Sequence, residues 1–203
     1  QNWERAAMIK ARPIAGDVAA GEAFLHELVP YVWRRYLDFA AISDIHSIKR
    51  QIHDHRGHDE VAVAGHNVKL GRGGIREIEF FVQTQQLIAG GRNPELRGRR
   101  TLDTLDALAA GGWIDAAARD DLAAGYAALR RIEHCLQMIA DEQTHTLPED
   151  EAELAIVAAM AGYDDVPAFA ADLTRTLGTV RDHYSELFES APSLTSTLGS
   201  LVF

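Results

Sequence analysis

The sequence contains a single cysteine, Cys135, among its 203 residues. One cysteine cannot form an internal disulfide, and it excludes a zinc site built from cysteines, because such a site needs at least two thiolates. No stretch approaches the roughly 18 consecutive apolar residues that a membrane-spanning helix requires. The N-terminus also lacks a basic segment followed by an apolar one, so no secretory signal is visible. These absences predict a cytoplasmic protein with no membrane partner and a buried, inert Cys135.

Several enzymatic signatures are absent as well. The sequence has no G-x-x-x-x-G-K-[ST] phosphate loop, and Gly71-x-Gly73 is not a dinucleotide fingerprint because Arg76 stands where the third glycine would be. No Asp-x-Asp pair occurs, so the usual unit of a two-magnesium phosphoryl-transfer centre is missing. No serine stands in the G-x-S-x-G context of a hydrolase. The common catalytic centres are therefore not predicted in this chain.

Acidic residues outnumber basic ones, 30 to 20, which gives a net charge of −10. This balance argues against a nucleic-acid partner, since nucleic-acid binders usually carry a basic face. The charge is uneven: residues 1–100 hold 15 basic and 12 acidic side chains, whereas residues 101–203 hold 5 and 18. A solvated acidic surface is the simpler explanation of the second half. In the alternative, the first half faces an anion such as a nucleotide.

Helical periodicity dominates the chain, and no strand alternation exceeds five residues. The predicted helices cover, in order, about 2–12, 17–28, 31–56, 75–90, 101–110, 115–145, 149–161 and 166–190. Asp17 is the expected N-cap of the second helix. In the longest helix, one buried side is expected to hold Leu122, Tyr126, Leu129, Leu136 and Ile139. The prediction is an all-α bundle of about seven to eight helices over residues 1–190, with at most one short extended segment near 66–70, and a tail over 191–203.

The segment 53–66 is polar and rich in histidine. It contains His53, Asp54, His55, His58, Asp59 and His66. No H-E-x-x-H spacing places two of the histidines on one helix face, as a helical zinc site requires, and polar loops often collect such residues without binding a metal. We therefore expect no native metal site in this loop.

The segment 68–86, VKLGRGGIREIEFFVQTQQ, has an unusual helical pattern. From residue 75 onward it is apolar on two sides, which predicts a helix packed on two sides. One arc holds Ile75, Ile78, Phe81, Val82 and Ile88, and the second holds Phe80 and Leu87. Between them lies a narrow polar stripe of Arg76, Glu79, Gln83 and Gln86. Polar groups in so confined a place must be hydrogen-bonded, so we expect Arg76 and Glu79 to be at least partly buried and to reach each other.

The start of the same helix suggests an anion site. Three glycines would leave backbone N–H groups accessible at a helix N-terminus, where the helix dipole adds positive charge. Three cationic side chains surround this end. Together they predict a nucleotide- or phosphate-binding site of Lys69, Gly71, Arg72, Gly73, Gly74 and Arg76. A tight turn leading into a buried helix, with an Arg76–Glu79 pair, explains the same residues without a ligand.

The run VKLGRGGIREIEFFVQ at 68–83 resembles the signature of the glutamine synthetase adenylyltransferases. Further segments resemble the same family in the same order: WERAAMIKAR at 3–12, RRYLDF at 34–39, GGRNPEL at 90–96, YAALRRIE at 126–133 and DEQTHTLP at 141–148. The resemblance extends to about residue 190. Enzymes of this family are bifunctional, and each of their two halves has a nucleotidyltransferase head followed by a helical domain.

The resemblance implies that this chain is a helical domain whose head lies upstream. Arg76-Glu77 resembles the half that removes AMP from glutamine synthetase by phosphorolysis, because the half that attaches AMP has threonine and aspartate there. The head's glycine–serine and paired aspartates are missing, since the sole Gly-Ser is Gly199-Ser200. The chain also begins inside a predicted helix, as a piece of a longer protein would. No catalytic residue is therefore expected in the chain itself.

For the full-length enzyme, the resemblance implies ATP, ADP, phosphate and Mg²⁺ as ligands, and glutamine synthetase and the PII signalling protein as partners. Arg76, Glu77 and Glu79 would support catalysis from the wall of the nucleotide cleft. This chain alone is expected to bind no metal or cofactor.

Two other functions stay open. The chain could be an interaction module that binds glutamine synthetase or PII through its acidic second half. More distantly, it could derive from the related uridylyltransferase of PII, where the run GGIREIEF is not expected. A pocket at Gly71–Arg76 would favour the enzyme role, and a large exposed apolar patch would favour an interaction role.

Overall fold

The computed structural model describes residues 2–34 and 62–189. Its α-helices are α1 (Asn2–Met8), α2 (Val18–Glu27), α3 (Val29–Val32), α4 (Ile75–Ala89), α5 (Thr101–Ala110), α6 (Ala116–Ala140), α7 (Glu151–Ala161) and α8 (Val166–Glu189), with a 3₁₀ turn at Pro94–Leu96. The described part of the chain contains no sheet. The predicted all-α bundle with one long helix is confirmed.

Aspartates begin several of these helices by capping their free N–H groups. The carboxylate of Asp17 accepts from Ala20 N, as predicted, at 2.9 Å. Asp115 caps α6 through Ala118 N at 2.7 Å, and Asp150 caps α7 through Ala152 N and Glu153 N. Because these caps are local, the helix starts could be predicted from the sequence.

Helix α4 lies at the centre of the bundle and contacts α1, α5, α6 and α8. Both predicted apolar arcs are confirmed except for Ile88, which was assigned to the first arc but packs beside Phe80 and Tyr184. The first arc enters the main core, with Ile75 and Ile78 fully buried. In the second arc, Phe80 packs on Tyr184 of α8, and Leu87 packs against residues of α1 and α3. A helix enclosed in this way has little freedom to shift.

Helix α6 buries Leu122, Leu129 and Leu136 against its neighbours, as predicted. The placement of Ile139 on the buried side is wrong, since its side chain is 44% exposed. The reason is that residues 138–140 are all exposed, so the last turn extends past the packed part of the bundle. The helix also ends at Ala140, because Asp141 takes a left-handed conformation with φ 49°.

The predicted helix over 31–56 is interrupted at Trp33. Helix α3 ends there because Trp33 has φ −105° and ψ 71°. This bend places the Trp33 ring against Gly90, so closely that a Cβ at Gly90 would lie 2.8 Å from the ring. The centre of the same ring lies 5.8 Å from the guanidinium carbon of Arg97. The rest of that predicted helix lies outside the described residues, together with the tail 191–203 and the histidine-rich loop up to residue 61.

The short extended segment is confirmed as one isolated antiparallel bridge, Asn67 to Thr146. Two backbone hydrogen bonds support it: Val68 N donates to His145 O, and Leu147 N donates to His66 O, both at 2.9 Å. The bridge ties the turn before α4 to the segment that follows α6.

Among the described helices, none alone has the length and apolar character needed to cross a membrane. The bent pair formed by α7 and the 166–187 part of α8 meets those criteria by length and composition only. Core helices of proteins outside membranes meet them too, and both of these helices contribute to the main core.

Gly73 fixes how closely α4 approaches α8. Its φ is +73°, a conformation that side chains disfavour, and a Cβ there would lie 2.1 Å from the carbonyl oxygen of Leu177. No real Cβ could occupy that position without separating the two helices. Gly73 is therefore required by packing.

We predict that Gly73→Ala lowers the free energy of unfolding by about 3 kcal/mol or more, because left-handed strain adds to overpacking. Gly112→Ala is the matched control: Gly112 has φ +71° but nothing within 4 Å of its Cβ position. That variant should lose only about 1 kcal/mol. Urea unfolding of both variants measures the difference, and equal losses would show that the contact with Leu177 yields freely.

Candidate functional site

The turn over residues 66–74 is closed by its own backbone. Gly71 N donates to Asn67 O at 2.7 Å, and Gly74 N donates to Gly71 O at 3.1 Å. The Asn67 side chain accepts from Lys69 N and Leu70 N. At the start of α4, Ile75 N donates to Val68 O and Arg76 N donates to Lys69 O, both at 3.0 Å. The first N–H groups of α4 are thus satisfied by carbonyls of the preceding turn.

The Glu77 carboxylate occupies the place where an external anion was expected. It is buried, and its Oε2 accepts from Gly73 N at 2.9 Å. Gly73 and Gly74 are buried as well. The expectation that Gly71, Gly73 and Gly74 offer accessible N–H groups is therefore wrong, because each already donates within the chain. Their roles are turn geometry and close packing.

The three predicted cationic side chains do surround this turn. The Lys69 Nζ lies 3.3 Å from Glu133 Oε1, and Arg72 is exposed. Arg76 pairs with Glu79, 3.5 Å apart, with the two side chains 45% and 20% exposed. Both were expected to be at least partly buried and to reach each other, and both expectations are confirmed, with Arg76 the more exposed of the two at the first turn of an otherwise enclosed helix. Phosphate binding by these side chains stays a prediction.

Lys10 of the segment after α1 belongs to the same region. Its Nζ donates to Arg99 O at 2.7 Å and to Thr101 Oγ1 at 3.0 Å. Burial lowers the pKa of Lys10, while the nearby Glu79 carboxylate opposes that shift. Glu79 therefore interacts electrostatically with two cations, Lys10 and Arg76.

Farther along the polar stripe, Gln86 has a structural role. Its side chain is fully buried, and its Nε2 donates to Leu96 O at 2.6 Å and Gly98 O at 2.8 Å. Arg97 holds the same loop by donating to Gly90 O and Gly91 O. The basic loop 91–100 is thus fixed to α4 by internal contacts.

Sequence reasoning missed one cluster, centred on Glu133 of α6. This carboxylate is 1% exposed, and two cationic side chains and one histidine surround it. They are Lys69, Arg130 and His145, whose Nδ1 lies 3.1 Å from Glu133 Oε1. Glu133 and His145 both lie in segments that resemble the family, YAALRRIE and DEQTHTLP, but nothing local indicated that they meet.

Across residues 2–34 and 62–189, no group of three or more histidine, cysteine, aspartate or glutamate side chains could hold a metal ion. Among the histidines and aspartates of the segment 53–66, His66 is the one that falls within the described residues, and it is buried. Cys135 is buried, as expected, and burial raises the pKa of its thiol, with Arg131 opposing the shift.

An apolar groove of 460 Å³ lies between α1, α2 and α3, away from the 66–74 turn. It is lined by Glu4, Ala7, Met8, Phe24, Leu28 and Tyr31. Phe24 is more than half exposed. An exposed apolar surface of this kind favours contact with another protein surface.

The sequence of this all-helical bundle, which includes the glycine-rich turn before a buried helix, matches a known family over most of its length. Residues 46–188 match the family described as GlnD PII-uridylyltransferase, and the chain belongs to that family. Its curated relatives are bifunctional glutamine synthetase adenylyltransferase/adenylyl-removing enzymes. The chain is 67% identical to that of Mesorhizobium japonicum, 62% to that of Rhizobium meliloti and 63% to that of Brucella melitensis, over 203 residues in each case.

The resemblance inferred from the run at 68–83 is thereby confirmed. The match covers 100% of this chain but 21% of each of these three relatives. The chain therefore spans about a fifth of the length of the enzymes it matches.

The exposure of Arg76 and the burial of Glu77 lead to opposite expectations for stability. Arg76→Ala should lower the free energy of unfolding by less than about 1 kcal/mol, because water compensates for a partly exposed ion pair. Glu77→Ala should lower it by about 1–3 kcal/mol, because Gly73 N–H loses its buried acceptor. Chemical denaturation of the two variants tests this, and a larger loss for Arg76→Ala would mean that the exposed pair is a structural one.

Proposed function

We propose that residues 1–190 form the helical domain that follows the nucleotidyltransferase head in the adenylyl-removing half of a bifunctional glutamine synthetase adenylyltransferase, with 191–203 as a tail. The full protein would attach AMP to glutamine synthetase from ATP, and remove it with phosphate to release ADP, in the bacterial cytoplasm. The high identity to enzymes of that name over the whole chain supports this proposal. Arg76-Glu77 supports the assignment to the adenylyl-removing half.

Within that enzyme, this domain would pack on its own head and complete the nucleotide and phosphate cleft. The observation that carries the proposal is the outward-pointing Arg76 on the first turn of α4, a helix held by neighbours on nearly every side. An arginine on so rigid a support can stabilise transferring phosphate charge with little reorganisation. Lys69 and Arg72 would act beside Arg76, and these three side chains together form what we call the positive edge. Glu77 and Glu79 would hold the turn and orient Arg76.

The magnesium ion that such chemistry uses does not fit the residues described here. Among the described residues, the two buried carboxylates already have partners: Glu77 accepts from Gly73 N–H, and Glu133 pairs with Lys69 and Arg130. We therefore assign Mg²⁺ to the head of the full-length enzyme.

An interaction role is the alternative, and the groove between α1, α2 and α3 favours it. Its apolar lining, with Phe24 and Tyr31 partly open to solvent, could receive a surface of glutamine synthetase or of PII. The two roles are compatible, because the groove and the 66–74 turn use different residues.

Replacing Arg76 in the full-length enzyme tests the cleft proposal. Arg76→Ala should lower the rate of phosphorolysis of adenylylated glutamine synthetase by about 100-fold, the scale of one lost electrostatic contact in a transition state. Arg175→Ala is the matched control, since Arg175 also pairs with a carboxylate three residues away on an exposed helix face. It should retain full activity. Normal phosphorolysis by the Arg76 variant would refute the proposed role.

The 203-residue chain by itself is predicted to have no activity. It lacks the Asp-x-Asp pair that would hold the metal, so it should neither attach nor remove AMP. The assay is ADP release from adenylylated glutamine synthetase with phosphate and Mg²⁺, beside the full-length enzyme as a positive control. Measurable ADP release would show that a catalytic centre lies inside this chain.

A further inference from the structure

The Glu133 cluster lies directly behind the proposed positive edge. Glu133 reaches out from α6 to Lys69 of the turn and to His145 of the segment after α6. The two partner segments are also joined by backbone, since Val68 N donates to His145 O at 2.9 Å. The Glu133 side chain thus fixes the point where three parts of the chain meet.

Lys69 takes part in the proposed site through both its backbone and its side chain. Its carbonyl accepts from Arg76 N at 3.0 Å, which sets the first turn of α4. Its ammonium lies 3.3 Å from Glu133 and is partly exposed, at 23%. A lysine side chain is a flexible point charge that loses considerable rotational freedom when it is held in one position. The buried carboxylate holds it there in advance.

The charge at this cluster leaves Lys69 available to a ligand. The single carboxylate of Glu133 is shared among Lys69, Arg130 and His145. Two permanent cations therefore face one anion, so Lys69 is not fully neutralised. An ammonium donates three hydrogen bonds, and an exposed part of it can reach a further acceptor.

We propose that Glu133 is a positioning residue, which holds the Lys69 ammonium where it binds the inorganic phosphate used in phosphorolysis. An oxygen of that phosphate attacks the phosphorus of the AMP group, which forms ADP, and the bond from this phosphorus to glutamine synthetase breaks, which returns the protein oxygen as a hydroxyl. This proposal rests on the function proposed above. Glu133 itself touches no substrate and acts through Lys69. Loss of the carboxylate should weaken phosphate binding and leave the rate at saturating phosphate almost unchanged.

A double-mutant cycle in the full-length enzyme tests the proposal. The variants are Glu133→Gln, Lys69→Met and their combination, and the readouts are kcat and the KM for inorganic phosphate in phosphorolysis. Each single variant should raise the KM about tenfold and change kcat less than about twofold. The double variant should be no worse than Lys69→Met, because Glu133 then has nothing to position. Asp103→Asn, a carboxylate change on an exposed pair with Arg100, is the control and should leave both constants unchanged.

Three outcomes would overturn the proposal, and they are distinguishable. If the effects of the two changes multiply, Glu133 acts independently of Lys69. If kcat falls while the KM stays constant, the cluster is a general structural support. If Lys69→Met leaves the phosphate KM unchanged, the proposed positive edge is itself wrong. Should Glu133→Gln fail to fold, Glu133→Asp keeps the charge, withdraws it by one methylene, and should raise the KM in the same direction.

Discussion

The buried ion cluster of Glu133 is the constraint on which the arrangement of the candidate site depends. A carboxylate that is 1% exposed would be costly without partners, and removing a partner from a buried pair typically costs several kcal/mol. Here the partners come from three parts of the chain: Arg130 from α6 itself, Lys69 from the turn before α4, and His145 from the segment after α6. The contacts of Glu133 therefore join the turn before α4 and the segment after α6 to α6 itself.

Helix α4 shows how polar residues in a buried helix divide their roles. Glu77 and Gln86 face inward, where each is occupied by backbone groups of a neighbouring loop: Gly73 N–H for Glu77, and the carbonyls of Leu96 and Gly98 for Gln86. Such contacts stabilise the loops through Glu77 Oε2 and Gln86 Nε2, whereas Gln86 Oε1 is buried and accepts no hydrogen bond from the described residues. Arg76 is partly exposed and pairs with Glu79 at 3.5 Å, so it is the residue of α4 best placed to meet an external anion.

The uneven charge of the chain is explained by exposure. Carboxylates of the second half such as Asp103, Asp106 and Asp120 lie on the surface, with side chains more than half exposed. Glu133 is the buried exception. The simpler interpretation, a solvated acidic surface, is thus supported for these residues.

The sequence by itself determined the all-α class, most helix bounds, the cap at Asp17, the double apolar face of α4 and the family. The structural features among these depend on residues within about one helical turn of each other, and periodicity reports such neighbours directly. The family was indicated by the resemblance of several sequence segments in order. Tertiary structure alone decided that α3 ends at Trp33, that Gly73 contacts Leu177, and that Glu133 gathers Lys69 and His145. These contacts join positions far apart in the chain, as Asn67 and Thr146 are, 79 residues apart. The prediction of accessible N–H groups at the glycines was wrong for the same reason. Whether a backbone donor stays accessible depends on acceptors that only the folded chain brings near it, here the Glu77 carboxylate and the carbonyls of the turn.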